Sequence, residues 1–191
     1  MICLTWNYAD HAQESAAASR RNYELPEHPV AFPNAPTSIT SPFADIPFDV
    51  NLSSQIDWEI EPGIVIGVGG RGIEAVHALA HVFGYAVINN TSARNIQLRH
   101  KQFSLCKSLD AISPMGPSIV TADEIPDPQR SALRSWVNGV LKQESNNAQQ
   151  IFVAISISIL SRGTTLDIIA SGTPVEWDLR ARRRNFYSLA M

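Results

Sequence analysis

Three acidic residues occupy alternate positions in Asp57-Trp58-Glu59-Ile60-Glu61. In extended backbone, side chains at i, i+2 and i+4 share a face at intervals of about 7 Å. Carboxylates that close repel one another, and a hard divalent cation such as Mg2+, Mn2+ or Ca2+ relieves the repulsion. The competing reading is an ordinary strand, with its acids toward water and Trp58 and Ile60 in the core. A second pair, His11 and Glu14, can meet across one helical turn. A carboxylate beside an imidazole orients it and raises its basicity, which suits a water-activating base. The plainer alternative is a capping pair near a helix start. Lys107, one of three lysines, lies in the apolar setting Leu105-Cys-Lys-Ser-Leu109. A buried ammonium requires a counter-charge, whereas a snorkelling one requires only a nearby surface.

Two further motifs carry weaker chemistry. Gly67-Val-Gly-Gly-Arg-Gly72 spells GxGxxG between a candidate strand and a candidate helix. A dinucleotide fold also needs an acid about 20 positions on. The positions available are Asn89 and Asn90, which are amides. The basic run Arg180-Ala-Arg-Arg-Arg184 lacks interleaved aromatics and reads as a solvated tail.

These residues must be placed by a strand-rich chain. Ile2–Trp6 reads as a strand. Ser15–Pro62 holds seven of the twelve prolines, an extended stretch of the kind that forms lids or covers. The β-branched run Ile64–Val68 reads as a buried strand, and Tyr85–Ile88 and Ile119–Ala122 as others. Ile73–Val82 has helical spacing, with Ile73, Val76 and Ala80 on one face. Asn138-Gly139 between apolar residues is a hairpin signal. Ile151–Leu160 is ambiguous between strand and helix. The pattern implies an α+β, mostly β architecture.

With 191 residues, 45% hydrophobic and 17% charged, the chain can bury one core and is not disordered throughout. A net charge of -3 gives no electrostatic reason to expect nucleic acid. No apolar stretch approaches the roughly 20 residues of a membrane span. Two distant cysteines, Cys3 and Cys106, make no disulfide framework, so a cytoplasmic, reducing location is expected.

The chain resembles the fumarylacetoacetate hydrolase family over roughly residues 2–175. Six ordered blocks carry the resemblance: Asn7–Glu14, Asp57–Gly67, Gly84–Gln97, Lys107–Pro117, Trp136–Gln143 and Ser171–Pro174. It implies a mixed β-sandwich or β-roll core with few short helices, one catalytic domain over 1–175, and residues 15–56 as a lid. It also implies a helix over Ile151–Leu160. Residues 176–191 would form a basic tail outside the family pattern. The last strands of the sheet would be missing, leaving an open edge.

By the same resemblance, Glu59 and Glu61 hold Mg2+ (or Mn2+ or Ca2+), and Asn90 stands where the family has an aspartate ligand. An amide oxygen still coordinates a hard cation but brings no charge. His11 and Glu14 match a water-activating pair, Lys107 a residue that stabilises developing negative charge, and Gln97 and Thr173 substrate-facing positions. Asn34, in Phe32-Pro33-Asn34, replaces a lysine the family often has. The implied activity is metal-dependent hydrolysis or decarboxylation, cleaving a C–C bond in a small 2-oxo acid, acylpyruvate or 1,3-dicarbonyl compound. The implied assembly is a homodimer. The rival is an inactive relative serving as a dimeric binding or scaffold subunit, motivated by Asn90 and Asn34.

Overall fold

A computed structural model describes residues 1–9, 27–47, 49–100, 102–152, 168–171 and 185–190. Its strands, in chain order, are β1 (Ile2–Thr5), β2 (Val30–Pro33), β3 (Ile39–Thr40), β4 (Ile56–Asp57), β5 (Ile60–Ile66) and β6 (Val82–Asn89). They continue with β7 (Ser92–Ala93), β8 (Ser113–Pro114), β9 (Val120–Thr121), β10 (Ala132–Val137), β11 (Val140–Asn146), β12 (Ile168–Ser171) and β13 (Asn185–Ala190). The described α-helices of four or more residues are short, Arg94–His100 and Ser104–Lys107. The mostly β expectation holds.

Six strands make a mixed sheet in the order β2-β1-β12-β5-β6-β9, in which β1 and β12 run parallel and the other neighbours antiparallel. β5 is central, yet it contains Pro62 and Gly63. Its pairing with β12 ends at Gly63, so the missing proline N–H falls where that ladder has stopped. A second, antiparallel sheet has the order β11-β10-β13. The β10–β11 hairpin turns through Asn138 and Gly139, both at positive φ (52° and 79°), the conformation Asn-Gly adopts most easily. Within 176–191, residues 185–190 lie antiparallel along β10, so among the described strands that edge is occupied.

The two sheets meet through Ile60, Val87 and Leu133, one apolar cluster from β5, β6 and β10. Gln143 of β11 reinforces the junction. Its side-chain oxygen accepts from the Ile60 N–H at 3.0 Å, and its nitrogen donates to the Ile60 carbonyl at 2.9 Å. One buried amide thus serves both backbone groups of the first residue of β5, as a neighbouring strand would.

The segment expected as an α-helix over 73–82 is a 3-10 helix, Ala75–His81. The expected apolar face is not the buried one: Val76 is 80% exposed, and the packed residues are Ile73 and Ala78. A 3-10 helix repeats every three residues, so Val76 and Ala80 point about 120° apart, and Ile73 lies ahead of the helix altogether. The GxGxxG turn leads into this element and then into β6, which pairs antiparallel with β5. A dinucleotide fingerprint needs a parallel β-α-β crossover, so Gly67–Gly72 is a connecting turn.

Candidate active site

The acidic segment is extended at both ends, in β4 and β5, and all five residues from Asp57 to Glu61 are buried. The expected alternative of acids facing water is therefore incorrect. Both faces of the segment are covered, one by the apolar junction around Ile60 and the other by residues delivered from later in the chain.

After β6 ends at Asn89, the chain passes through Asn90 and Thr91 into β7, which pairs with β4. This return lays Asn90, Ser92 and Arg94 alongside the acids. Arg94 forms ion pairs with Asp57 and Glu59 at 2.8 and 2.6 Å, and its Nε donates to Asp57 at 2.8 Å. Ser92 donates to Glu59 Oε1 at 3.0 Å. The helix Ser104–Lys107 presents Lys107, 3% exposed, whose Nζ meets Glu59 Oε2 at 2.7 Å and lies 4.0 Å from Glu61 Oε1. The same ammonium donates to the Asn90 carbonyl at 2.9 Å. Lys107 is thus buried against a counter-charge and does not snorkel. The Phe32 ring of β2 lies 6.0 Å from its Nζ and closes that side.

Three carboxylates face two cations, so the cluster carries one formal negative charge in excess when every group is ionised. Burial and the neighbouring Glu59 charge push the Glu61 carboxyl well above the usual carboxylate range, with Lys107 opposing. Burial pushes Asp57 up to about 6, with Arg94 as the main opposing influence. The excess charge is shared by Glu59 and Glu61, whose side chains lie within hydrogen-bond reach of each other. Glu61 Oε1 accepts from Asn90 Nδ2 at 3.0 Å, while the other oxygen, Oε2, is buried without a hydrogen-bond partner. A solvent-free, unpartnered carboxylate oxygen attracts a proton or a cation.

The all-oxygen donor set of Glu59, Glu61 and the Asn90 carboxamide fits a hard cation, with Glu61 Oε2 as its open valence. Among the described residues no three His, Cys, Asp or Glu side chains converge as a metal site. Asn90 presents its nitrogen to Glu61, and its oxygen accepts from Asn34 Nδ2 at 2.9 Å.

Of the expected site residues, Glu59, Glu61, Asn90 and Lys107 come together. Gln97 lies at the periphery, half-buried, accepting from Arg94 at 2.8 Å. His11, Glu14 and Thr173 lie outside the described residues, as do Arg180–Arg184 and residues 153–160. The residue pattern alone gives no role to Arg94 or Ser92, which bind Asp57 and Glu59 directly. Their only signal in the sequence is the block Asn89-Asn-Thr-Ser-Ala-Arg94.

Comparison with known proteins gives a consistent result. Residues 1–186 match the model of the fumarylacetoacetate (FAA) hydrolase C-terminal domain. The chain is 40% identical over 178 residues to oxaloacetate tautomerase YisK of Bacillus subtilis, covering 91% of this chain and 58% of that protein. It is 35% identical over 180 residues to the human mitochondrial oxaloacetate tautomerase FAHD2A, covering 91% of this chain and 55% of that protein. Among solved structures, a fumarylacetoacetate hydrolase from Exiguobacterium antarcticum superposes with a TM-score of 0.77 at 41% identity, over 91% of this chain and 62% of that one. A 2-hydroxyhepta-2,4-diene-1,7-dioate isomerase from Mycobacterium marinum superposes with a TM-score of 0.77 at 31% identity, over 91% and 63%. The chain spans little more than half the length of these curated relatives.

Proposed function

Because this chain belongs to the fumarylacetoacetate hydrolase family, we propose that it is an enzyme acting on a small 2-oxo acid, and that its chemistry is enolisation at the Glu59–Glu61–Lys107 cluster. The observation that carries this reading is the buried, unpartnered Glu61 Oε2, on a carboxyl whose other oxygen lies 4.0 Å from the buried Lys107 ammonium, in a dry site suited to a cation or a proton.

Enolisation removes a proton from the carbon next to a carbonyl and places negative charge on the carbonyl oxygen. Glu59 and Glu61, with Asn90, would hold a divalent cation, which when bound supplies Lewis-acid polarisation of that oxygen. Lys107 contributes a fixed positive charge whose position is set by Glu59 and the Asn90 carbonyl. Those two contacts engage two of its three N–H donors, leaving the third for a substrate oxygen. Arg94 and Ser92 hold the Glu59 carboxylate in place. Phe32 limits water beside the ammonium. The family resemblance assigns His11, paired with Glu14, as the base that takes the carbon-bound proton.

Several of the relatives are named as tautomerases or isomerases, which favours proton transfer over the C–C cleavage that the family resemblance first implied. In an oxaloacetate tautomerase reaction a proton leaves C3 of the keto form and a proton is placed on O2 of the enol, with no carbon–carbon bond broken. Hydrolysis of an acylpyruvate and decarboxylation pass through the same charged oxygen and remain as alternatives for the test. A second reading, an inactive family member acting as a binding subunit, is favoured by one observation, the Asn90 nitrogen turned toward Glu61.

The test follows enol absorbance after keto-oxaloacetate is added to the 191-residue chain with Mg2+ or Mn2+, alongside acylpyruvate cleavage and pyruvate release. Acceleration over the metal alone, lost in the chelator and in Lys107→Met, supports the reading. Cleavage without tautomerisation moves the assignment to a hydrolase or decarboxylase. Inertness in all three assays, restored by Asn90→Asp, supports the inactive relative.

A further inference from the structure

The carboxamides of Asn34 and Asn90 form a chain that ends at the proposed cation position. Asn34 Nδ2 donates to Asn90 Oδ1 at 2.9 Å, and Asn90 Nδ2 donates to Glu61 Oε1 at 3.0 Å. Both asparagines are buried, 3% and 1% exposed. Two acceptors at the ends of this chain have no partner: Asn34 Oδ1 and Glu61 Oε2. In this position the Asn90 nitrogen cannot ligate a cation, because it supplies hydrogen and no lone pair.

A carboxamide exchanges its oxygen and nitrogen by a half-turn about its last side-chain bond. If Asn90 turned alone, its nitrogen would face Asn34 Nδ2, donor against donor. The idle Asn34 Oδ1 removes that conflict. When both amides turn, Asn90 Nδ2 donates to Asn34 Oδ1, and Asn90 Oδ1 faces Glu61. Two oxygens then confront each other, an arrangement stable only with a cation between them. The backbone need not move. The Asn90 N–H donates to the Glu59 carbonyl at 2.8 Å, and its carbonyl accepts from Lys107 at 2.9 Å. The Asn34 N–H donates to the Met1 carbonyl at 2.9 Å, and the following residue is tied to Ser108, next to Lys107, at 2.9 Å.

We propose that Asn34 and Asn90 are a coupled two-position carboxamide switch: one position offers Glu61 a hydrogen-bond donor in the metal-free site, and the other offers a divalent cation an oxygen ligand. Asn34 is the positioning residue, acting only through Asn90. The device rests on the cation placement proposed above and lets an amide in place of an acid give Glu61 Oε1 a donor in one position and a cation an oxygen in the other. A fixed aspartate would raise the formal excess in the cluster from one negative charge to two.

The experiment is a titration of the 15N-labelled chain with MgCl2, reading side-chain NH2 resonances assigned from Asn34→Leu and Asn90→Asp. The switch requires both NH2 pairs to shift with one midpoint. It also requires the Asn90 amide protons to lose their proximity to the Glu61 methylenes and gain proximity to the Asn34 side chain. Calorimetry supplies a second readout. Asn34→Leu strands the Asn90 oxygen in one position and its NH2 in the other; the orphaned donor is the costlier of the two, so Mg2+ affinity should fall, several-fold up to about tenfold. In the Asn90→Asp background, where no amide turns, Asn34→Leu should change Mg2+ affinity by less than about twofold. Movement of the Asn90 resonances alone overturns the switch, as does an equal effect of Asn34→Leu in the two backgrounds. Absence of Mg2+ binding at millimolar concentration in every variant overturns both the switch and the cation placement. Normal switching without turnover of any oxo acid overturns the proposed reaction and leaves the switch standing.

Discussion

The two ends of β5 began as sequence motifs of comparable promise and have opposite fates. At one end, Glu59 and Glu61 are buried and met by Arg94, Ser92, Asn90 and Lys107, all from more than 25 residues away in sequence. At the other, Gly67–Gly72 is met by its own continuation. The Gly67 N–H donates to the His81 carbonyl at 2.9 Å, the His81 ring contacts the Val68 carbonyl at 2.7 Å, and Val68 is exposed. A motif becomes a candidate site when distant residues are folded onto it. A motif that meets only its neighbours is a turn.

The strongest attempt to break this contrast removes a distant partner. Lys107→Met should destabilise the chain by about 3–5 kcal/mol in chemical denaturation, because it removes one of the two cations that face three buried carboxylates and leaves Arg94 alone against them. A loss under about 1 kcal/mol would mean the acid end is solvated like the other.

The acid end also has its own reporters. Cys106, beside Lys107, is fully buried, and burial holds its thiol up to about 11. Cys3 is buried as well and pushed up by burial. Only the thiolate is alkylated, so at pH 8 both cysteines should react with iodoacetamide at least tenfold more slowly in the folded chain than in urea. Equal rates would show that the acid end opens freely.

At the glycine end, Gly72 has φ +64°, and nothing lies within 4 Å of where a Cβ would stand. Gly72→Ala should therefore cost only the backbone penalty, about 1 kcal/mol. It should leave Mg2+ binding unchanged; a tenfold loss would couple the two ends. The smallest effect belongs to Val76→Ser. At 80% exposure it should shift stability by less than about 0.5 kcal/mol, whereas an α-helical core position would lose more.

The same contrast marks what could be read from the sequence. The strands around Ile64 and Tyr85 and the Asn138-Gly139 hairpin were legible because β-branched runs and an Asn-Gly turn act locally. The 73–82 segment was not, because alanine-rich spacing suits more than one helix type, and packing of Ile73 and Ala78 selected the tighter winding. The acids were legible by type and spacing, but their burial was not, since five residues carry no information about what covers them. Lys107 stood out by its apolar setting. Its pairing with Glu59 across 48 positions was accessible only through the ordered blocks. The Asn34–Asn90 contact had a faint trace, two departures from one family pattern, whose adjacency required the fold.

The central claim, that the acid end of β5 holds a divalent cation, is tested most directly by calorimetric titration of Mg2+ into the native chain and Glu61→Gln. The exchange keeps the shape of the side chain, removes the charge and replaces the idle Oε2 lone pairs with either an amide oxygen or nitrogen. The expected result is one site per native chain and at least a tenfold loss of affinity in Glu61→Gln, about 1.4 kcal/mol or more. Equal affinity in the two proteins, or no binding by the native chain at millimolar Mg2+, would contradict it.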